Sequence, residues 1–208
     1  MKTNQLHKKT TLTLALGIIT SMGITSCNER TEQTNKTTGT AVSSESANKP
    51  VSYEEKIKRG EYIVRIAGCG DCHSPKVVEN GIPHEDPSLL LSGHPEKITI
   101  DKYDKATAKN WVLFNMHNTA AVGPWGVSFA ANLTSDATGI GNWTEEQFMK
   151  AMKEGKYKGM EGTRPLLPPM PWPNYSQMTN EDLSAVFAFL KTTKPVTNVV
   201  PAAIPPGN

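Results

Sequence analysis

Residues 52–200 predict a mainly α domain with an inserted region of loops or a short β-hairpin. Three observations lead to that fold class. Segments at 52–67, 144–154 and 179–192 combine capping residues with apolar positions at helical spacing. Glycines and prolines at 81–95, and five prolines from Pro165 to Pro173, break the helical pattern between them. The pentad Cys69-Gly70-Asp71-Cys72-His73 follows the first of these segments directly. In order, the chain reads as a leader (1–26), a tether (27–51), the domain (52–200) and a Pro-rich tail (201–208).

The leader carries Lys2, Lys8 and Lys9 and no acid, followed by an apolar run from Leu12 to Ile24. That is the pattern of a secretory signal, and the run is shorter than a transmembrane helix needs. Ile24-Thr25-Ser26-Cys27 resembles the bacterial lipobox. The resemblance implies cleavage before Cys27 and lipid on its thiol and amine, hence a lipoprotein anchored to the membrane of the bacterial cell envelope and facing the periplasm. Several acyl chains anchor stably where one is marginal. Residues 28–50 have no aromatic side chain and are rich in Thr, Ser, Asn, Glu and Lys. They cannot bury enough apolar area to offset the entropy of ordering. As a coil they would span on the order of 25–30 Å.

From Ser52 to Ala67 the sequence reads as a helix, with Ser52 and Glu55 as a capping box. Gly60 costs helix stability, about 1 kcal/mol against Ala, and makes sense where another helix crosses closely. The pentad then reads C-x-x-C-H, the attachment signature of a c-type haem. Two thiols three positions apart lie on one side of a helical turn, where both can bond to one porphyrin. His73 then comes under the iron as proximal ligand. A redox dithiol would need a neighbouring β-α-β pattern, and a structural zinc site a second Cys/His pair; neither is visible. The chain has 3 cysteines. With Cys27, Cys69 and Cys72 so assigned, none remains for a disulfide.

Residues 76–135 admit two readings. Trp111–Phe114 and Val127–Phe129 are short strands with Gly123-Pro124-Trp125-Gly126 between them, or a short helix occupies 104–114. Thr144 to Glu154 is a second helix, with Thr144 and Gln147 as its capping box and Gly155 as its C-terminal cap. Residues 162–175 are expected to be non-helical because of their prolines, and Met170 sits in the middle of that stiff loop. Thr179 to Thr192 is the last helix, with Leu183, Val186, Phe187 and Leu190 as its apolar stripe. The end of the chain from Pro195 reads as a wrap-around tail or as disorder.

A capped helix, the haem motif, a proline-bound methionine and a terminal helix, in that order, resemble a class I cytochrome c. The resemblance implies a cytochrome c fold, in which the first and last helices cross beside the haem; that crossing would account for Gly60. The stretch 132–190 is similar to the cytochrome c subunits of membrane alcohol and gluconate dehydrogenases. In those an Asn-Leu-Thr stretch precedes a Thr-Gly-Ile-Gly-x-Trp-Thr/Ser segment, a helix, and a Pro-Met-Pro loop ending in an aromatic and a Tyr. Here these are Asn132 to Thr134, Thr138 to Thr144, Phe148 to Glu154, and Pro169-Met170-Pro171-Trp172 with Tyr175. Leu91-Ser92-Gly93 extends the match into the inserted region. Those subunits often carry three haem motifs; this chain carries one.

Met170 is the expected sixth ligand, because Pro168, Pro169 and Pro171 restrict its backbone before the sulfur binds. Met160, in a Gly-rich loop, is the runner-up. Met149 and Met152 fit helix packing, and Met116 and Met178 lack a rigid setting. His84, His94 and His117 read as surface loop residues. Arg164 either pairs with a haem propionate or is solvated, and Trp172 and Tyr175 either line the haem edge or pack. The site so read is haem c, one and covalent, on Cys69, Cys72, His73 and Met170, with lipid at Cys27.

A His/Met iron has no open position, so the expected function is single-electron transfer and not catalysis. The chain would act as a shuttle or as the electron-accepting subunit of a respiratory oxidoreductase, with a dehydrogenase or an oxidase as redox partner. The alternative is a five-coordinate haem enzyme or gas sensor of peroxidase type. Net charge is +2, and −1 once the three leader lysines are removed, which argues against nucleic acid as a partner.

Overall fold

The structure, a computed structural model, describes residues 51–207. The leader, Cys27 and the tether as far as residue 50 lie outside the described residues. The elements run α1 (Tyr53–Ile66), α2 (Cys69–His73), β1 (Lys76–Glu79), β2 (Ile82–Glu85), α3 (Lys105–Ala108), β3 (Leu113–Phe114), β4 (Ala120–Gly123), β5 (Gly126–Phe129), α4 (Glu145–Glu154), α5 (Trp172–Tyr175) and α6 (Asn180–Leu190). A single 3₁₀ turn at Tyr157–Gly159 follows α4. The described part is thus helical with two small antiparallel sheets, and neither sheet closes into a barrel.

The three long helices begin where their capping residues stand. Ser52 and Thr144 each accept from the backbone N–H three residues on, while Glu55 and Gln147 return the bond to the cap's own N–H. Thr179 accepts from the N–H of Asp182. Such caps contribute about 1 kcal/mol each. Gly155 closes α4 in the left-handed conformation, as expected.

α1 and α6 cross at Gly60. A Cβ there would stand 1.9 Å from the carbonyl oxygen of Ala185, so only hydrogen lets the two backbones approach. Around the crossing, Ile63 and Val64 of α1 pack with Leu183, Val186, Phe187 and Leu190 of α6, with Phe148 of α4, and with Leu91 and Ile140 from loops. The predicted stripe of α6 is therefore the centre of the main core. Each side chain fully buried there stabilises the fold by about 1.5–3 kcal/mol.

The inserted region holds elements of both expected readings. The short helix α3 is capped by Asp104, and β3 follows it. The turn at Gly123–Gly126 does not join β3 to β5 as the strand reading had it. It joins β4 to β5, and β4 lies between β3 and β5. Strand β4 was not expected because Ala120 to Gly123 are all buried, and a strand buried on both faces shows no alternation to read. The β1–β2 hairpin was also not expected. Its turn, Asn80-Gly81, has positive φ at both residues (51° and 80°), as a type I′ turn requires. A second, smaller core of Ala108, Val122 and Val127 lies under the three-stranded sheet.

One further expectation is corrected, and of the two readings of the chain's end the wrap-around one holds. Residues 172–175 form one helical turn after all, with Pro173 in its first turn, where no partner for a backbone N–H is needed. The end of the chain wraps: Ile204 exchanges both backbone hydrogen bonds with Val127. Asn132 donates to the Val196 carbonyl, and Asn198 donates to the carbonyls of Ser92 and His94. Among the described residues no helix is long and apolar enough to cross a membrane.

Candidate functional site

Cys69, Cys72 and His73 share the short helix α2, entered from α1 through Gly68 in the left-handed conformation. Both cysteines are free thiols. Burial pushes the Cys69 thiol up to about 11 and also raises that of Cys72, with the Asp71 carboxylate adding to both. A redox dithiol needs the opposite, a thiolate stabilised near neutral pH. The C-terminal end of α2 is held by a cation, as its dipole favours. Lys76 Nζ donates to the carbonyls of Gly70 (3.1 Å), Asp71 (3.0 Å) and Ser74 (2.6 Å). Asn118 Nδ2 also donates to Asp71 O at 2.8 Å and lies 3.9 Å from the Cys72 sulfur.

His73 is half-buried, and its Nδ1 lies 2.7 Å from the carbonyl oxygen of Ala131. A carbonyl only accepts, so Nδ1 carries the proton and Nε2 keeps its lone pair. Desolvation holds the ring below the usual histidine range despite that hydrogen bond, which favours the same neutral form. This is the tautomer a metal-bound imidazole needs, oriented by a carbonyl in its second shell.

The Ala131 carbonyl is brought there by three adjacent backbone segments. Gly93 N–H donates to His73 O (2.7 Å), and Leu91 N–H to the Ser74 hydroxyl (3.0 Å). His94 N–H donates to Ala130 O (2.9 Å), and Leu133 N–H to Leu91 O (2.8 Å). A Cβ on Gly93 would stand 2.6 Å from the carbonyl oxygens of Ala130 and Ala131. The glycine of Leu91-Ser92-Gly93 therefore lets the segment that orients His73 come close.

Met170 is half-buried in its loop, and its N–H donates to Leu167 O at 3.2 Å. The loop is tied to the helix before the pentad: Tyr175 Oη donates to Ala67 O at 2.8 Å. A second tie comes from the sheet, where Ser128 Oγ donates to Pro168 O at 2.6 Å. Met160, 45% exposed, lies beyond the 3₁₀ turn. Met149 and Met152 pack on the main core as expected. Met178 packs there too, contrary to the expectation that it lacked a rigid setting; Met116 is exposed. The Arg164 guanidinium stacks on the Tyr157 ring at 3.9 Å.

His94 does not read as the sequence suggested. It is fully buried, with Nδ1 2.9 Å from Thr119 Oγ1, Nε2 2.9 Å from Ile98 O, and its ring against Phe129. Both ring nitrogens are engaged, so it is a structural residue. His117 Nδ1 is taken by Lys76 O, and His84 Nδ1 by Glu85 O. Among the described residues no three His, Cys, Asp or Glu side chains converge to hold a bare metal ion. Two thiols one turn apart beside an imidazole with a free Nε2 suit haem c, whose ring supplies the other four donors to iron.

The sequence comparisons indicate the class: the chain resembles the cytochrome c subunits of bacterial dehydrogenases. It is 29% identical over 158 residues, 75% of its length, to the cytochrome c subunit of the quinone alcohol dehydrogenase of Gluconobacter oxydans. It is 30% identical over 148 residues, 70% of its length, to the fructose dehydrogenase cytochrome subunit of Gluconobacter japonicus. It is 31% identical over 134 residues, 64% of its length, to the gluconate 2-dehydrogenase cytochrome c subunit of Pantoea cypripedii. The matches cover 25%, 23% and 22% of those relatives, so the chain spans about a quarter of their length. No family model matches the chain.

Proposed function

We propose that the chain is a class I c-type cytochrome that transfers single electrons, as a shuttle or as the electron-accepting subunit of a respiratory dehydrogenase. The observation that carries this reading is His73: its Nδ1 is taken up by the Ala131 carbonyl, which leaves Nε2 free at the end of a helix that presents two thiols. Haem c, when bound, supplies reversible one-electron exchange at its iron. Cys69 and Cys72 would hold it through thioethers, and His73 and Met170 would ligate its iron. Arg164, already ordered on Tyr157, is the cation offered to a propionate. Residues 52–200 are the cytochrome c domain, and a lipid at Cys27 tethers it to the membrane on the periplasmic side, within reach of its partner.

Denaturing electrophoresis tests the attachment. The wild type keeps its haem through the gel, and the double variant Cys69→Ala, Cys72→Ala loses it; haem retained by the double variant refutes the assignment. For the sixth ligand, Met170→Ala abolishes the weak near-infrared band of thioether-bound ferric iron, and Met160→Ala keeps it. The reverse result moves the ligand to Met160. Rapid cyanide binding by the wild type would establish the five-coordinate alternative. Mass spectrometry of the mature N-terminus finds a lipidated Cys27, and an unmodified terminus elsewhere removes the tether.

A further inference from the structure

The loop that carries Met170 is poor in donors. Pro165, Pro168, Pro169 and Pro171 have no N–H, and the Met170 N–H is used inside the loop. The Leu166 N–H donates to Gly155 O at 2.6 Å and ties the start of the loop to the end of α4; nearer Met170, the loop is held from outside through its carbonyls. Among the described residues, one side chain from another element donates to Pro165–Met170: Ser128 of β5, to Pro168 O. That hydroxyl is itself aimed. The Trp125 indole Nε1–H donates to Ser128 Oγ at 3.1 Å, which occupies one lone pair and leaves the O–H to point at Pro168. The indole is held in place because it folds over Gly123, where a Cβ would stand 2.4 Å from the ring. The second acceptor near the hydroxyl, Ala121 O at 3.4 Å, is too far to compete with Pro168 O at 2.6 Å. Three residues along the same strand exit, Ala131 O orients His73. One segment, Ser128 to Ala131, thus touches both sides of the site.

We propose that Ser128, aimed by Trp125, is a positioning residue that sets where the Met170 loop stands relative to the imidazole of His73. The inference rests on Met170 being the sixth ligand. A thioether is a weak, neutral donor and competes with added ligands only where its backbone is already placed. Ser128 supplies that placement across the site, and the prolines supply it along the chain.

The test is cyanide titration of the oxidised, haem-loaded full chain, with the near-infrared band recorded for each variant. Met170→Ala serves as the reference for a lost ligand. Ser128→Ala raises the apparent cyanide affinity about fivefold, the equivalent of one ordinary hydrogen bond, and weakens the near-infrared band. Trp125→Phe keeps an aromatic side chain but removes the aiming donor, and changes both readouts in the same direction by less. Wild-type cyanide affinity in both Ser128→Ala and Trp125→Phe overturns the proposal, even where thermal stability falls, since a merely structural role lowers stability alone. A band and affinity unchanged in Met170→Ala would instead overturn the ligand reading on which the proposal stands.

Discussion

Replacing Gly60 by Ala tests the central contact of the fold. In an isolated helix that change stabilises by about 1 kcal/mol. Here the new Cβ would stand 1.9 Å from the Ala185 carbonyl oxygen, 2.5 Å from its carbon and 2.9 Å from Phe189 Cβ. The first two are backbone atoms of α6 and cannot rotate aside. Relief requires α1 and α6 to part by about 1 Å, which loosens Ile63 and Val64 against Leu183 and Val186. Overpacking costs about 1–3 kcal/mol, and a clash with backbone belongs at the upper end. Less the helix-propensity gain, the net loss is about 2 kcal/mol. For a domain of this size that lowers Tm by about 4–8 °C. Thermal unfolding of the haem-loaded protein, followed by far-ultraviolet circular dichroism, measures it. A Gly60→Ala variant as stable as the wild type, or more so, would refute the close crossing and the reason given for the glycine.

The other predictions concern the ties around the site. Tyr175→Phe removes the hydroxyl that donates to Ala67 O and costs about 1 kcal/mol, read as a lower urea midpoint with an unchanged slope; an unaltered midpoint would mean that this hydroxyl does not hold the loop. The buried ring of His94 is held below the usual histidine range chiefly by desolvation. The unfolded chain therefore binds a proton that the folded chain resists, and this contribution to stability is complete above about pH 6.5 and is lost as pH falls below it. Urea unfolding at pH 7.5 and 5.5 should show that loss in the wild type. His94→Gln should be weaker at both values and less sensitive to pH, and an equal pH response in the two proteins would remove His94 as the cause.

What the sequence determined by itself lies where the signal and its effect are close along the chain. Ser52 with Glu55, Thr144 with Gln147, and Gly155 mark the ends of α1 and α4 because each capping contact closes within a turn of the residue that makes it. The C-x-x-C-H pentad is legible for the same reason: its spacing alone sets two thiols on one side of a helix. Asn80-Gly81 was equally local, and the hairpin signal was there to be read. Gly60 announced a close helix crossing, and the cytochrome c resemblance assigned it to the last helix; Gly93 read only as loop punctuation. Only tertiary structure brought the Ala185 carbonyl of α6 against Gly60 and the backbone of Ala130–Ala131 against Gly93. The acceptor for His73 Nδ1 comes from 58 residues away and is a backbone carbonyl. Every residue carries that group, so no side chain in the sequence marks the one that is used. Ser128 and Trp125 likewise become meaningful only once β5 lies beside the Pro168 carbonyl, because a hydroxyl has no partner of its own until the fold supplies one.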